Sequence, residues 1–137
     1  MRVFLDTRVL IAALATRGIC ADLLRLVLLE HQLLASKAVF RELRGLLIDR
    51  LGLPRALADQ VVPFLRERAE VCETRLPAVR TSPESEYDHI LGAALAVQAD
   101  VLVTGDRALL AIDDQASVRI TDPRGFWQLM VTARMTR

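Results

Sequence analysis

Aromatic side chains make up only 4% of this 137-residue chain. That scarcity argues against base-stacking platforms, which need exposed rings, and leaves a core of Leu, Val, Ala and Ile. Cysteine is equally sparse. Cys20 and Cys72 form no Cys-x-x-Cys pair, and with His31 and His89 they make no zinc-ligand pattern, so they read as unpaired thiols of a cytosolic protein. The formal net charge is +1, which gives no global basis for binding nucleic acid or membrane. Lysine is nearly absent too: Lys37 is the only one, and every other basic residue is arginine. Codon bias explains most of that, although arginine suits phosphate contacts, so a local patch stays open. No apolar run reaches the length of a membrane span. A signal peptide over Arg2 to Ala13-Leu14-Ala15 fails because Asp6 and Arg8 interrupt it. The chain is therefore expected to be cytoplasmic, with no membrane partner. No Gly-x-Gly-x-x-Gly follows the first apolar run, which excludes a dinucleotide-binding turn.

What is present is a hydrophobic fraction of 53% in a length suited to one domain with a real core, residues 1–137. Arg2–Asp6 reads as a buried strand, and Thr7 onward as helix, pausing near Thr16-Arg17-Gly18 and resuming over Asp22–Glu30. His31–Ala35 is a second short strand, and Ser36 a natural N-cap for a helix ending near Leu51-Gly52. Pro54 opens a further helix to about Glu70, with Pro63 an internal irregularity. Val71–Leu76 is a weak strand, Pro77–Ser85 a loop, and Tyr87–Gln98 a helix of small residues. Val101–Val103 is a short strand, Arg107–Ala111 a helical turn, Ser117–Ile120 a last strand and Pro123–Met130 a final helix. Alternating strands and helices with short connections imply an α/β fold: a three-layer α/β/α sandwich around a parallel sheet of four to five strands.

Two strand ends look alike. Val3-Phe4-Leu5 stops at Asp6, and Val101-Leu102-Val103 stops at Asp106 after Thr104-Gly105. If the two strands are parallel neighbours, both carboxylates project from one sheet edge, where ligands bind in open α/β sheets. Like charges held that close push one pKa up unless a cation lies between them. Oxygen ligands without His or Cys favour a hard ion, Mg²⁺ or Mn²⁺. Glu42 replaces an apolar residue among Val39, Leu43 and Leu46, and Asp88 begins the helix leading into the Val101 strand, so both can reach the same edge. Taken singly, Asp6 and Asp106 read equally as helix caps, Glu42 as a solvated residue and Asp88 as a first-turn acid. Their joint placement favours a site. Asp113 and Asp114 are expected to have surface roles.

The motifs that carry this placement are Leu5-Asp6-Thr7-x-Val9-Leu10, Ser36-x-x-Val39-x-x-Glu42-Leu43, Asp88-x-x-Leu91-x-x-Ala94-Leu95-Ala96 and Ala99-Asp100-x-Leu102-Val103-Thr104-Gly105-Asp106-Arg107-x-Leu109-Leu110, with Ile120-Thr121-x-Pro123-x-x-Phe126 near the end. They resemble the PIN-domain family, in particular the bacterial PIN toxins of toxin–antitoxin pairs (VapC-like ribonucleases). The resemblance implies Mg²⁺ or Mn²⁺ held by Asp6, Glu42, Asp88 and Asp106, with Thr104 behind them or touching substrate. It also implies metal-assisted hydrolysis of RNA phosphodiester bonds, a cognate antitoxin partner and a homodimer. The family's pattern has Asn or another small polar residue two places after the first Asp. Here Arg8 stands there, where it can pair with Asp6 or Asp106, contact RNA phosphate, or mark a change that cripples a toxic nuclease. The leading expectation is a metal-dependent endoribonuclease toxin. The alternative is a catalytically impaired PIN-fold module that binds RNA or protein. An aspartyl phosphatase is disfavoured, because that chemistry wants a second acid where Arg8 sits.

Overall fold

Val3, Phe4 and Leu5 are completely buried, as befits an unbroken apolar run covered on both faces of a sheet. They belong to β1 (Arg2–Leu5). The computed structural model describes residues 1–73, 88–113 and 116–135, with the backbone alone for Asp88 and Met135. After β1 come α1 (Thr7–Ala15), α2 (Ile19–Glu30), β2 (Gln32–Ser36), α3 (Lys37–Asp49), α4 (Arg55–Glu67) and β3 (Ala69–Cys72). These are followed by α5 (Asp88–Ala96), β4 (Val101–Val103), α6 (Arg107–Ala111), β5 (Arg119–Thr121) and α7 (Pro123–Met135). Every strand pairing is parallel, and the five strands lie in the order β3-β2-β1-β4-β5. The α/β architecture expected from the sequence is the one adopted, at the upper strand number.

That order dictates where a crevice opens. The chain winds outward from β1 through β2 to β3, then returns past β1 to β4 and β5. Right-handed crossovers put α1 to α4 on one face and the return crossover through α5 on the other, while α7 comes back to pack on α2. On the first face, α1 packs on α2 and α3, and α3 packs on α4. The segments leaving β1 and β4 therefore diverge, and the carboxyl ends of these two neighbours form the switch point where such sheets bind ligands.

Local chemistry fixes the element ends. Ser36, fully buried, accepts a hydrogen bond from the Val39 amide at 3.1 Å and so caps α3. Gly18 has φ of +146° between α1 and α2, a conformation L side chains rarely adopt. Pro63 lies inside α4 without ending it. At the amino edge of the sheet, the Arg2 backbone amide donates to Asp100 Oδ2 at 2.8 Å. The Arg2 guanidinium donates to the carbonyls of Gln98 and Val97 and pairs with Glu70 of β3.

Several boundaries differ from the sequence expectation. The second helix begins at Ile19 rather than Asp22, and the strand after it runs Gln32–Ser36 rather than His31–Ala35. Glu70, expected at a helix end, lies in β3: Arg68 closes α4 as its C-cap, and Ala69 and Glu70 pair with Leu33 and Leu34. The last strand is Arg119–Thr121, and the last helix extends to Met135. The expected loop Pro77–Ser85, the strand end at Leu76, the helix start at Tyr87, and Asp114 lie outside the described residues. Among the described residues, no helix is long and apolar enough to cross a membrane.

Candidate active site

At the switch point the strand ends of β1 and β4 are joined by one short network. Asp6 is 1% exposed and Thr104 is fully buried. The Thr104 hydroxyl donates to Asp6 Oδ2 at 2.6 Å and accepts from the Asp106 amide at 3.0 Å. Asp6 Oδ1 accepts from the Arg8 amide at 3.3 Å, making Asp6 the N-cap of α1. Asp106 Oδ1 accepts from the Leu109 amide at 2.9 Å and caps α6. The two readings of these acids, helix cap and site residue, are therefore not exclusive. Each caps a helix where its strand ends, and Asp6 also lines a cavity.

The electrostatics follow from burial. Desolvation holds the Asp6 carboxyl above its ordinary pKa, and the nearby charge of Asp106 adds to that push. The Thr104 hydroxyl, the Arg8 amide and the Arg8 guanidinium pull in the other direction. Among the described residues, the buried carboxylate thus lacks full compensation.

A cavity of about 610 Å³ opens over this floor, lined among others by Asp6, Thr7, Arg8, Glu42, Asp49 and His89. Glu42 comes from α3, one helix turn past its first residues, and its Oε1 lies 3.0 Å from His89 Nε2 of α5. Among the described residues, Thr7 Oγ1 and His89 Nδ1 are buried without a hydrogen-bond partner. Asp113 does more than sit at the surface: its carboxylate accepts from the Ile120 amide at 2.6 Å and anchors β5.

The structure thus brings Asp6, Thr104 and Asp106 into one network, and puts Glu42 and Arg8 on the same cavity as Asp6. Asp88 is the first residue of α5, next to His89. Two titratable cavity residues, Asp49 and His89, were absent from the expected site. Asp49 is seven residues beyond Glu42, two helical turns along the same flank, a spacing visible in the sequence. His89 carried no such signal, since only the packing of α5 brings it to α3.

Tested against a divalent cation, the donor chemistry fits. Asp6 and Thr7 both line the cavity, and a carboxylate beside a residue whose hydroxyl has no partner offers oxygen donors of the kind that suit a hard ion. Among the described residues, however, no three His, Cys, Asp or Glu side chains converge as a metal-holding group. The three described acids are instead each engaged by the chain: Asp6 by the Thr104 hydroxyl, Asp106 by the Leu109 amide and Glu42 by His89.

A PIN-domain family model matches residues 2–108. No curated protein matches the chain in sequence. Among solved structures, VapBC-1 from nontypeable Haemophilus influenzae superposes with a TM-score of 0.61 at 22% identity, covering 90% of this chain and 99% of that one. VapBC2 from Rickettsia felis, bound to a DNA fragment from their promoter, gives a TM-score of 0.57 at 16% identity, covering 89% of this chain and 98% of that one.

Proposed function

Because the chain belongs to the PIN-domain family, we propose that it is a metal-dependent endoribonuclease, the toxin of a toxin–antitoxin pair. The observation that carries this reading is the buried, incompletely compensated Asp6 carboxylate, tied through Thr104 to Asp106 at the switch-point crevice. Asp6, Glu42, Asp88 and Asp106 are the residues that would hold Mg²⁺ or Mn²⁺. When bound, such an ion supplies Lewis-acid polarisation of a phosphodiester and a water of lowered pKa.

The remaining steps belong to the chain. Thr104 fixes the rotamer of Asp6, and His89 orients Glu42 toward the cavity. Arg8, on the cavity wall, meets a non-bridging oxygen of the scissile phosphate and fixes the strand's register. The partner in this reading is an antitoxin protein, in line with the likeness to the two VapBC structures. Its docking face is the apolar groove of about 320 Å³ between α2 and α4, where Leu57 and Phe64 stand exposed. The reading is completed by a homodimer in the cytoplasm, with residues 1–137 acting as one domain.

A second reading rests on Arg8 itself. A guanidinium on the wall of an acidic cavity can take the place of the cation and leave a PIN-fold module that binds RNA or protein without cutting. One Mn²⁺ titration separates the two, reading RNA cleavage and thermal shift on the parent, Asp106→Asn and Arg8→Asn. The nuclease reading expects Mn²⁺-dependent cleavage by the parent and a loss of at least about a hundredfold in Asp106→Asn. Cleavage and Mn²⁺ response only in Arg8→Asn would establish the impaired module, and no Mn²⁺ response in any variant would falsify the metal site.

A further inference from the structure

The side of α3 away from the acidic cavity carries the opposite charge. Lys37, Arg41 and Arg44 lie at i, i+4 and i+7 and share one flank of the helix. Arg66 faces them from α4 across a second cavity of about 440 Å³, floored by Phe40 and Val62. Glu42, Gly45 and Asp49 occupy the other flank and line the Asp6 cavity. One helix, about 10 Å thick, thus divides an acidic cavity from a basic groove.

The groove is costly to the fold and returns little: Arg66 complements the last turn of α4, and the Arg41 charge acts on Glu73. Like charges at i, i+4 on a helix destabilise it. Two of the four cations have carboxylate partners at the rim: Lys37 with Glu73 at 2.6 Å and Arg44 with Asp59 at 2.9 Å. Those pairs are solvent-exposed and of the kind that contributes little, so they open readily to a competing anion. Among the described residues, Arg41 and Arg66 form no ion pair with a carboxylate. The chain has a net charge of only +1, so the concentration of cations here is a local feature and not an overflow of general basicity.

Guanidinium groups gathered over an apolar floor match phosphate oxygens in charge and in bidentate geometry. We propose that the groove between α3 and α4 binds the phosphate backbone of single-stranded RNA flanking the segment held at the Asp6 cavity, with Arg41 and Arg66 as its principal contacts. This rests on the ribonuclease reading above and adds the path of the substrate: the strand crosses α3 from its acidic to its basic flank. RNA is favoured over an acidic protein segment because both flanks then serve one continuous ligand.

The test is anisotropy of a labelled single-stranded RNA oligonucleotide in EDTA, where no cleavage occurs, titrated with protein at several salt concentrations. Each phosphate contact on a single strand contributes about 0.7 to the slope of log affinity against log salt. The Arg41→Ala/Arg66→Ala protein is therefore expected to show a slope shallower by about 1.4. Arg25→Ala on α2 leaves it unchanged. Arg41→Gln/Arg66→Gln, which keeps most of each stem, gives the same shallower slope and guards against a packing artefact. In multiple-turnover cleavage of long RNA the double variant raises KM at unchanged kcat, the pattern of lost uniform binding. A parent that binds RNA with a slope the double variants do not alter overturns the groove and leaves the nuclease reading standing. A parent that binds no RNA overturns both. Polyglutamate binding that the double variants abolish, with RNA binding untouched, reassigns the groove to an acidic protein and overturns the proposal.

Discussion

Asp6 has the most demanding position of any side chain in the site. It is buried beside Thr104, next to a second acid, and its carboxyl is held above the ordinary carboxylate range chiefly by desolvation. The folded chain therefore binds this proton more tightly than the unfolded chain does. Its contribution to stability is complete below the unfolded carboxylate value, about 4, and is lost as pH rises through the folded value. Thermal melts from acid to neutral pH should show the parent losing stability relative to Asp6→Asn as pH rises. A constant difference would mean that burial is not governing the group. The tendency of Asp6 toward a site was legible in the sequence, because a carboxylate closing the buried run Val3-Phe4-Leu5 demands a reason. That it also caps α1 through the Arg8 amide could be read only as an alternative, since capping and site-lining leave the same residue at the same place.

At the scale of elements, α3 does the most positioning. It carries Glu42 on one flank and Lys37, Arg41 and Arg44 on the other, and its entry is set by Ser36 at the end of β2. Ser36→Ala removes the bond to the Val39 amide and should cost about 1 kcal/mol, measurable by denaturant titration. Because α3 starts at the level of the strand ends, the loss should also weaken cleavage. Ser36 and the helix after it were recognisable as a cap and an amphipathic pattern. The basic flank was equally present in the spacing, but Arg66 joins it only through the packing of α4 on α3. His89 likewise reaches Glu42 from a distant element. Contacts between elements leave no periodicity within either one, which is why these two residues escaped. The Ala69–Cys72 strand was missed at its start for a local reason: the amphipathic run of α4 carries on into Arg68 and Ala69 without a breaking residue, and pairing with β2 decides the boundary.

Across the whole molecule, support and the candidate site lie at opposite ends of one sheet. At the amino edge Arg2 links β1 to β3 through Glu70 and to the turn before β4 through Val97, Gln98 and Asp100. At the carboxyl edge lie Asp6, Thr104 and Asp106. Arg2→Ala should lower the melting temperature while leaving RNA cleavage per folded molecule unchanged. Reduced cleavage at full folding would show that the two ends are coupled. The order β3-β2-β1-β4-β5 explains why the strand-and-helix alternation pointed to the right architecture. Short connections restrict such a chain to few windings, and the return past β1 is the step that creates the crevice.

That Asp6 and Asp106 cap helices as well as belonging to the proposed site bears on how this protein should be studied genetically. If it arrests growth, survivors of a selection will include substitutions at both positions, and those survivors will mix two causes. Alanine removes a carboxylate and a helix cap together, so a silent variant can reflect low abundance as easily as lost cleavage. Asparagine retains capping ability, and so isolates the charge. Glu42 is exposed and caps no described helix, and its contact with His89 can be kept by Glu42→Gln. An inactive allele chosen as a reference strain should therefore be built at Glu42, or as Asp→Asn, and compared with the parent by immunoblot before its phenotype is interpreted.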